Sequence, residues 1–244
     1  DHKRVLEGDK GKNTGGMGAY SPSRLIDKNL EKKILDRIIN PTLEALKKLG
    51  TSYKGFLYAG LMIVNDDPYL IEYNVRMGDP ECQTILPVLN TDFLEIINSC
   101  CEKKLQNIKI EWDNKKSICV VLCSDGYPNT YKKNIEIKNL DSIKLKNDDY
   151  LFHAGTSLRD KKIFATGGRV LNFVSISNDF VNAKKNVYNN LDILDNKIHI
   201  NSCFLHLMKI CYKDSNIIMM MFKNMETGRV LNHTINNINY ILTF

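Results

Sequence analysis

Apolar residues recur at helical spacing from Asn29 onward, at Leu30, Ile34, Leu35, Ile38 and Ile39, and again at Leu43, Leu46 and Leu49. Pro41 interrupts the run, so two helices or one kinked helix satisfy the pattern equally, with Gly50 as the stop. Phe56–Val64 is an unbroken apolar stretch of strand length. Asn65-Asp66-Asp67-Pro68 then supplies a turn, and Tyr69–Arg76 returns as a second strand, which predicts a hairpin. Asp92–Leu105 reads as a helix with Asp92 or Thr91 as N-cap. Its expected inner side is Phe93, Leu94, Ile96, Ile97, Cys100 and Cys101. Residues 1–23 lack such periodicity. Rich in glycine and charge, they predict a long loop, and long loops in compact domains usually carry function.

The pattern changes around Gln106 to Trp112. Ser117–Cys123, Asp149–Phe152, Lys162–Phe164 and Arg169–Val174 read as short strands separated by glycine-containing turns. Asn178–Leu194 reads as a surface helix with Phe180, Ala183, Val187, Tyr188 and Leu191 inward. A second, smaller α+β domain is therefore expected from about residue 108. Beyond residue 200 the chain is rich in asparagine and isoleucine and has no clear period. There Gly228-Arg229-Val230-Leu231-Asn232 repeats Gly168-Arg169-Val170-Leu171-Asn172.

Composition narrows the class. With 244 residues, 43% hydrophobic and 25% charged, the chain has enough material for one large or two modest globular domains. A net charge of +6 suits anionic metabolites, and the absence of an arginine-rich arm, zinc-finger spacing or an aromatic RNP-type motif argues against nucleic acid. Seven cysteines form no disulfide-framework pattern, as expected of a reducing compartment, so a cytoplasmic location is expected. No apolar run reaches membrane-spanning length, and no membrane partner is expected.

The candidate chemistry concentrates in Ile71-Glu72-Tyr73-Asn74-Val75-Arg76-Met77-Gly78-Asp79-Pro80-Glu81. In a strand, alternate residues share a face, so Glu72, Asn74 and Arg76 line up with Tyr73 and Val75 behind them. A carboxylate and an amide oxygen are hard ligands of the kind Mg²⁺ uses together with substrate phosphates. Arg76 adds a planar fork that matches carboxylate or phosphate oxygens. Glycine at position 78 allows a backbone to approach a ligand closely.

These motifs occur in an order that closely resembles the phosphoribosylamine–glycine ligase (glycinamide ribonucleotide synthetase) family. Asp1-His2-Lys3-Arg4 followed by Asn13-Thr14-Gly15-Gly16-Met17-Gly18-Ala19-Tyr20-Ser21-Pro22 is similar to its glycine-rich stretch. Gly55-Phe56-Leu57-Tyr58-Ala59-Gly60-Leu61-Met62 is similar to its next strand. Arg76-Met77-Gly78-Asp79-Pro80-Glu81, with Gln83 after it, matches its signature, Met77 standing where Phe or Leu is more usual. Gly126-Tyr127-Pro128, His153-Ala154-Gly155-Thr156 and Gly167-Gly168-Arg169-Val170-Leu171 follow in the family's order. The resemblance covers about residues 1–200.

The resemblance implies an α+β chain: residues 1–107 as the C-terminal part of an ATP-grasp domain, then 108–200 as a small α+β C-terminal domain resembling a rudimentary hybrid barrel. Residues 201–244 are expected to be an atypical tail. The implied reaction joins glycine to 5-phosphoribosylamine at the expense of ATP, through a glycyl phosphate, in purine biosynthesis. Glu72 and Asn74 match the family's Mg²⁺ or Mn²⁺ ligands, and the apolar strand before them offers no second acid. Arg76 is then the catalytic residue, clamping glycine's carboxylate or the acyl phosphate, with Gly78, Asp79 and Glu81 for substrate. Lys3, Arg4 and Lys10 would meet the phosphates of ATP, with the N–H groups of Gly15, Gly16 and Gly18. His153 is expected to be a structural or substrate-edge residue rather than a general base. The resemblance also implies that the front part of the ATP site lies outside this sequence, so this chain alone is expected to be inactive. Two alternatives stay open: another ATP-grasp carboxylate–amine ligase, and a catalytically silent module. Oligomeric state is not legible.

Overall fold

The computed structural model describes residues 2–6 and 10–191, together with the backbone of residues 192–195 and 217–222. The chain opens with three short strands, β1 (Arg4–Leu6), β2 (Lys10–Asn13) and β3 (Gly18–Ser21), where a loop was expected. A long helical segment follows as α1 (Lys28–Ile34), a π-helical turn (Leu35–Ile39) and α2 (Asn40–Lys48). Next come strands β4 (Leu57–Val64) and β5 (Asp67–Asn74), then helices α3 (Glu81–Ile85) and α4 (Phe93–Cys101). The later strands are β6 (Lys116–Cys123), β7 (Ile135–Ile137), β8 (Asp149–His153), β9 (Thr156–Arg159), β10 (Lys162–Ala165) and β11 (Arg169–Ser177). Helix α5 (Phe180–Asp195) follows, and β12 (Ile217–Phe222) is the last described element. The 228–232 repeat lies outside the described residues.

Contacts divide the chain into two compact units that are not consecutive in sequence. One draws on residues 1–21, 79–87 and the segment from 115; the other on 22–78, 88–114 and the segment from 216. A single cut at residue 108 therefore does not describe the compact units. The cause is non-local pairing: Gly18 lies opposite Val120, and Ser21 opposite Ser117, which places β3 in the sheet of the later segment.

In the second of these units β4 is central in a three-stranded antiparallel sheet, with β12 and β5 beside it. Asn65 and Asp66 both adopt left-handed backbone, with φ of 52° and 59°, the geometry that matches a two-residue hairpin turn to strand twist. The helical segment is one rod. Asp27 caps it by accepting from the Leu30 N–H at 2.7 Å. The wider π turn falls just before Pro41, whose ring would crowd the carbonyl of residue 37 and which has no N–H to give it. The rod closes with Gly50 N–H donating to Lys47 O and Thr51 N–H to Leu46 O, and Leu49 points out, 80% exposed, rather than continuing the inner stripe. Leu30, Ile34, Leu35 and Ile39 bury against Leu57, Ala59, Leu61 and Ile63. Helix α4 is shorter than expected because Lys103 takes a left-handed conformation (φ 59°), and only Ile96 and Cys100 of its expected inner side are fully buried.

In the first unit β3, β6, β11 and β8 form an antiparallel sheet in that order. Ala183, Val187 and Leu191 of α5 bury against Val120, Leu122, Leu171 and Phe173 on one of its faces, as the helical spacing predicted. Thr84 of α3 hydrogen-bonds the thiol of Cys119 on β6, and burial holds that thiol well above its ordinary pKa. Strands β7, β10 and β9 make a separate small sheet. Among the described residues no cysteine forms a disulfide. Among the described residues no helix is long and apolar enough to cross a membrane.

Candidate functional site

The candidate residues fall in both units. In the β4–β5 sheet the ladder slips by one residue: Leu61 faces Leu70, while Gly60 faces Glu72, so Ile71 is the extra residue of a bulge. Beyond it alternation is regular. Glu72 lies opposite Gly60 and Asn74 opposite Tyr58, on one face, with Glu72 exposed and Asn74 half-buried. Tyr73 turns the other way, its hydroxyl 2.9 Å from Thr42 Oγ1 and donating to Ile38 O at 3.2 Å. Burial pushes its pKa up against the opposing effect of the Thr42 hydrogen bond.

The strand ends at Asn74, so Arg76 is not the third member of an alternating row as expected. It reaches Asn74 by another route. Its Nη2 donates to Asn74 Oδ1 at 3.4 Å and its Nη1 to the Met77 carbonyl at 3.0 Å. Val75, expected behind the polar row, lies in the bend past the strand end and is 73% exposed. Gly78 is buried.

A hard divalent cation fits this donor set. Glu72 supplies a carboxylate and Asn74 an amide oxygen, both two-residue neighbours on one face. Among the described residues no three His, Cys, Asp or Glu side chains cluster as a complete metal cage. Two protein oxygens with the rest from substrate and water is the arrangement Mg²⁺ commonly takes.

In the other unit Asp79 is a junction. Its Oδ2 pairs with Arg169 Nη2 at 2.8 Å, and its Oδ1 accepts from Gln83 Nε2 at 2.8 Å. Asp79, expected to meet substrate, here makes contacts that fix a turn. Glu81 begins α3 and is buried. Between them and Gln83, the Cys82 thiol is pushed up to about 11, by burial first and then by the Asp79 and Glu81 charges.

The glycine-rich stretch also differs from expectation. The Gly15 N–H donates to the Tyr127 hydroxyl at 3.0 Å, and the Gly16 N–H to Thr14 Oγ1 at 3.1 Å. Both donors are used inside the protein rather than aimed at an anion. Gly18 sits in β3, where a Cβ would come within 2.8 Å of the Cys119 carbonyl, so the residue permits close strand packing. Lys3, Arg4 and Lys10 belong to the β1–β2 ribbon and its approach. Lys3 O accepts from the N–H and hydroxyl of Thr14, Arg4 Nη1 donates to Gly11 O at 3.4 Å, and Lys10 is exposed.

His2 is buried, which lowers its pKa to about 3, and exposed His153 has Nδ1 at 3.0 Å from Thr156 Oγ1. Arg169, Gln83 and Tyr127 were not assigned roles from sequence. Each stands inside or beside a quoted motif, but Arg169 donates mainly to backbone carbonyls far away in sequence, the Tyr127 hydroxyl accepts from the distant Gly15 N–H, and Gln83 donates to the Asp79 carboxylate, pairings that no side-chain pattern displays.

The chain is similar to known proteins in sequence and in fold. Residues 1–82 match the family model of the phosphoribosylglycinamide synthetase ATP-grasp (A) domain, and residues 117–205 match that of its C domain. The chain is 47% identical over 192 residues to a phosphoribosylamine–glycine ligase from Caldanaerobacter subterraneus subsp. tengcongensis, covering 79% of this chain and 45% of that protein. It is 46% identical over 184 residues to the trifunctional purine biosynthetic protein adenosine-3 of Gallus gallus, covering 75% of this chain and 18% of that one. The crystal structure of phosphoribosylamine–glycine ligase from Thermotoga maritima superposes with a TM-score of 0.66 at 34% identity, covering 79% of this chain and 46% of that chain. The chain therefore spans less than half the length of these relatives.

Proposed function

This chain belongs to the phosphoribosylglycinamide synthetase family, and on that premise we propose that it serves the ATP-dependent ligation of glycine to 5-phosphoribosylamine. The activity proposed is that of the complete ligase. A carboxylate oxygen of glycine attacks the γ-phosphorus, and the bond to ADP breaks. The resulting glycyl phosphate is attacked at its carbonyl carbon by the amine of phosphoribosylamine. Phosphate leaves with the bonding electrons, the nitrogen loses a proton, and the amide is formed. Such a transfer rests on alignment and charge neutralisation.

The arrangement that carries this reading is the end of β5, where Glu72 and Asn74 share a face and the Arg76 guanidinium lies against the Asn74 amide. Glu72 and Asn74 would hold Mg²⁺ or Mn²⁺, which when bound supplies positive charge to the phosphate oxygens. Arg76 has N–H groups directed at the same place and would orient the carboxylate of glycine. Gly78 gives backbone room beside it. Glu81 is the carboxylate proposed to meet the amino group of a substrate, and Asp79 acts by holding the turn that carries it. Lys3, Arg4 and Lys10 would neutralise phosphate charge from the β1–β2 ribbon, and Gly15, Gly16 and Gly18 shape the loop next to it.

Mn²⁺ titration followed by NMR tests this chain's share of the site. Selective broadening of the Glu72 and Asn74 amides, abolished in E72Q/N74A, is expected; broadening confined to other carboxylates would sink the assignment. In the complete ligase, glycine-dependent ADP release with glycinamide ribonucleotide as product is expected. Product formed with bicarbonate in place of glycine would favour a carboxylase-like ATP-grasp enzyme instead.

A further inference from the structure

One side chain in the first compact unit makes more long-range polar contacts than the proposed chemistry uses. Arg169, at the start of β11, donates through Nη1 to the carbonyls of Gly15 at 3.2 Å, Gly16 at 3.3 Å and Asp79 at 2.6 Å. Its Nη2 meets the Asp79 carboxylate at 2.8 Å. These partners lie 154, 153 and 90 positions away in sequence. The guanidinium is mostly buried, with 22% of the side chain exposed.

We infer that Arg169 is a positioning residue, which locks the glycine-rich loop and the Asp79–Glu81 turn into one geometry from the C-domain side. The inference rests on the ligase reading for what that turn presents to substrate. Only a planar fork serves here. Arginine offers several N–H donors in fixed directions, whereas a lysine ammonium is a point charge that cannot span a carboxylate and three carbonyls at once.

The surroundings fit a lock of this kind. A Cβ at Gly15 would stand 3.0 Å from Arg169 Cζ and Nη2, so glycine there lets the guanidinium lie against the loop backbone. Gln83 holds the Asp79 oxygen that Arg169 does not. Tyr127 fixes the loop from its other donor through the Gly15 N–H, and Gly168 leaves room for the Tyr127 ring, which a Cβ would approach to 2.3 Å. The residue before Arg169 and the residue itself thus both act on the Gly15–Gly16 loop. Arg169 touches no reacting atom in this scheme; it acts through Asp79.

The test compares the wild-type chain with R169K and R169M by amide NMR. Both variants are expected to shift the amides of Gly15, Gly16, Asp79 and Glu81 while Phe173–Ile176 and α5 keep theirs, and lysine is not expected to restore the wild-type positions. Shifts confined to residues next to 169, or full restoration by lysine, would overturn the inference. In the complete ligase, R169K is expected to raise KM for the amino substrate about tenfold and to leave kcat within about threefold, as for a lost binding geometry. An equal fall in kcat at unchanged KM would count against it. A wild-type ligase with no glycine-dependent turnover would defeat the ligase reading alone, and the amide shifts would still decide whether Arg169 is the lock.

Discussion

Glu72 and Asp79 are carboxylates of the same short run, yet they live in opposite surroundings. Glu72 stands exposed at a strand end, facing glycine across the ladder. Asp79 has one oxygen on Arg169 and the other on Gln83. The difference teaches that nearness in a motif does not assign a shared job. An exposed carboxylate with an amide oxygen two residues on along the same face is suited to take up a ligand. A carboxylate engaged on both oxygens instead transmits geometry, because releasing it would strand a mostly buried guanidinium.

The comparison breaks or sharpens under substitution, and the largest effect is expected at Gly155. A Cβ there would lie 2.5 Å from Arg169 O and 2.6 Å from Gly167 Cα, both backbone atoms that cannot swing aside. G155A is expected to cost about 3 kcal/mol in urea unfolding followed by circular dichroism. Trp112, the single tryptophan, lies buried in the other unit. If its fluorescence midpoint stays in place, the two units differ in stability as they do in chemistry. If both midpoints fall together, they unfold as one and the contrast is limited to local contacts.

A middle effect comes from His2. Its folded-state pKa of about 3 lies below the ordinary 6.5, so the unfolded chain binds the proton first as pH falls. Stability from this group is complete above pH 6.5 and is lost on acidification towards pH 3, with a slope of up to about 1.4 kcal/mol per pH unit. H2Q should flatten that slope in melts run across the range; an unchanged slope would assign the loss to carboxylates instead.

The smallest effect is expected where function is proposed. E72Q/N74A should change unfolding free energy by no more than about 0.5 kcal/mol, as for surface sites away from packed features. A larger loss would mean that the β5 end is a structural element and that the contrast with Asp79 is false.

The legible parts of the fold were those with strong local periodicity. The β4–β5 hairpin and α5 follow from apolar spacing and from Asn65-Asp66, and their contacts are near in sequence or on one face. Local sequence around Gly18–Ser21 predicts a loop, because that segment becomes a strand only through β6, about a hundred residues later. Helix α4 was read too long because nothing in the side-chain pattern marks Lys103 as left-handed. The site divided the same way. Glu72 and Asn74 were legible from alternation, whereas Arg169 was not, since three of its acceptors are backbone carbonyls common to every residue type. Arg76 was expected beside Asn74 and is there, though a bend and not a strand brings it.

The bulge at Ile71 gives the β5 strand one residue more than its partner needs. Pairing on either side of it is already in step, so that residue is a spacer whose geometric effect is curvature. Excising it would leave Leu70 opposite Leu61 and Glu72 opposite Gly60, with Glu72 and Asn74 still present and still facing the same way. What would change is the local coil of the ribbon, and with it the angle at which the two oxygens meet whatever they hold. Aim and composition are therefore separable in this strand, and residue identity at positions 72 and 74 alone does not encode the first of them.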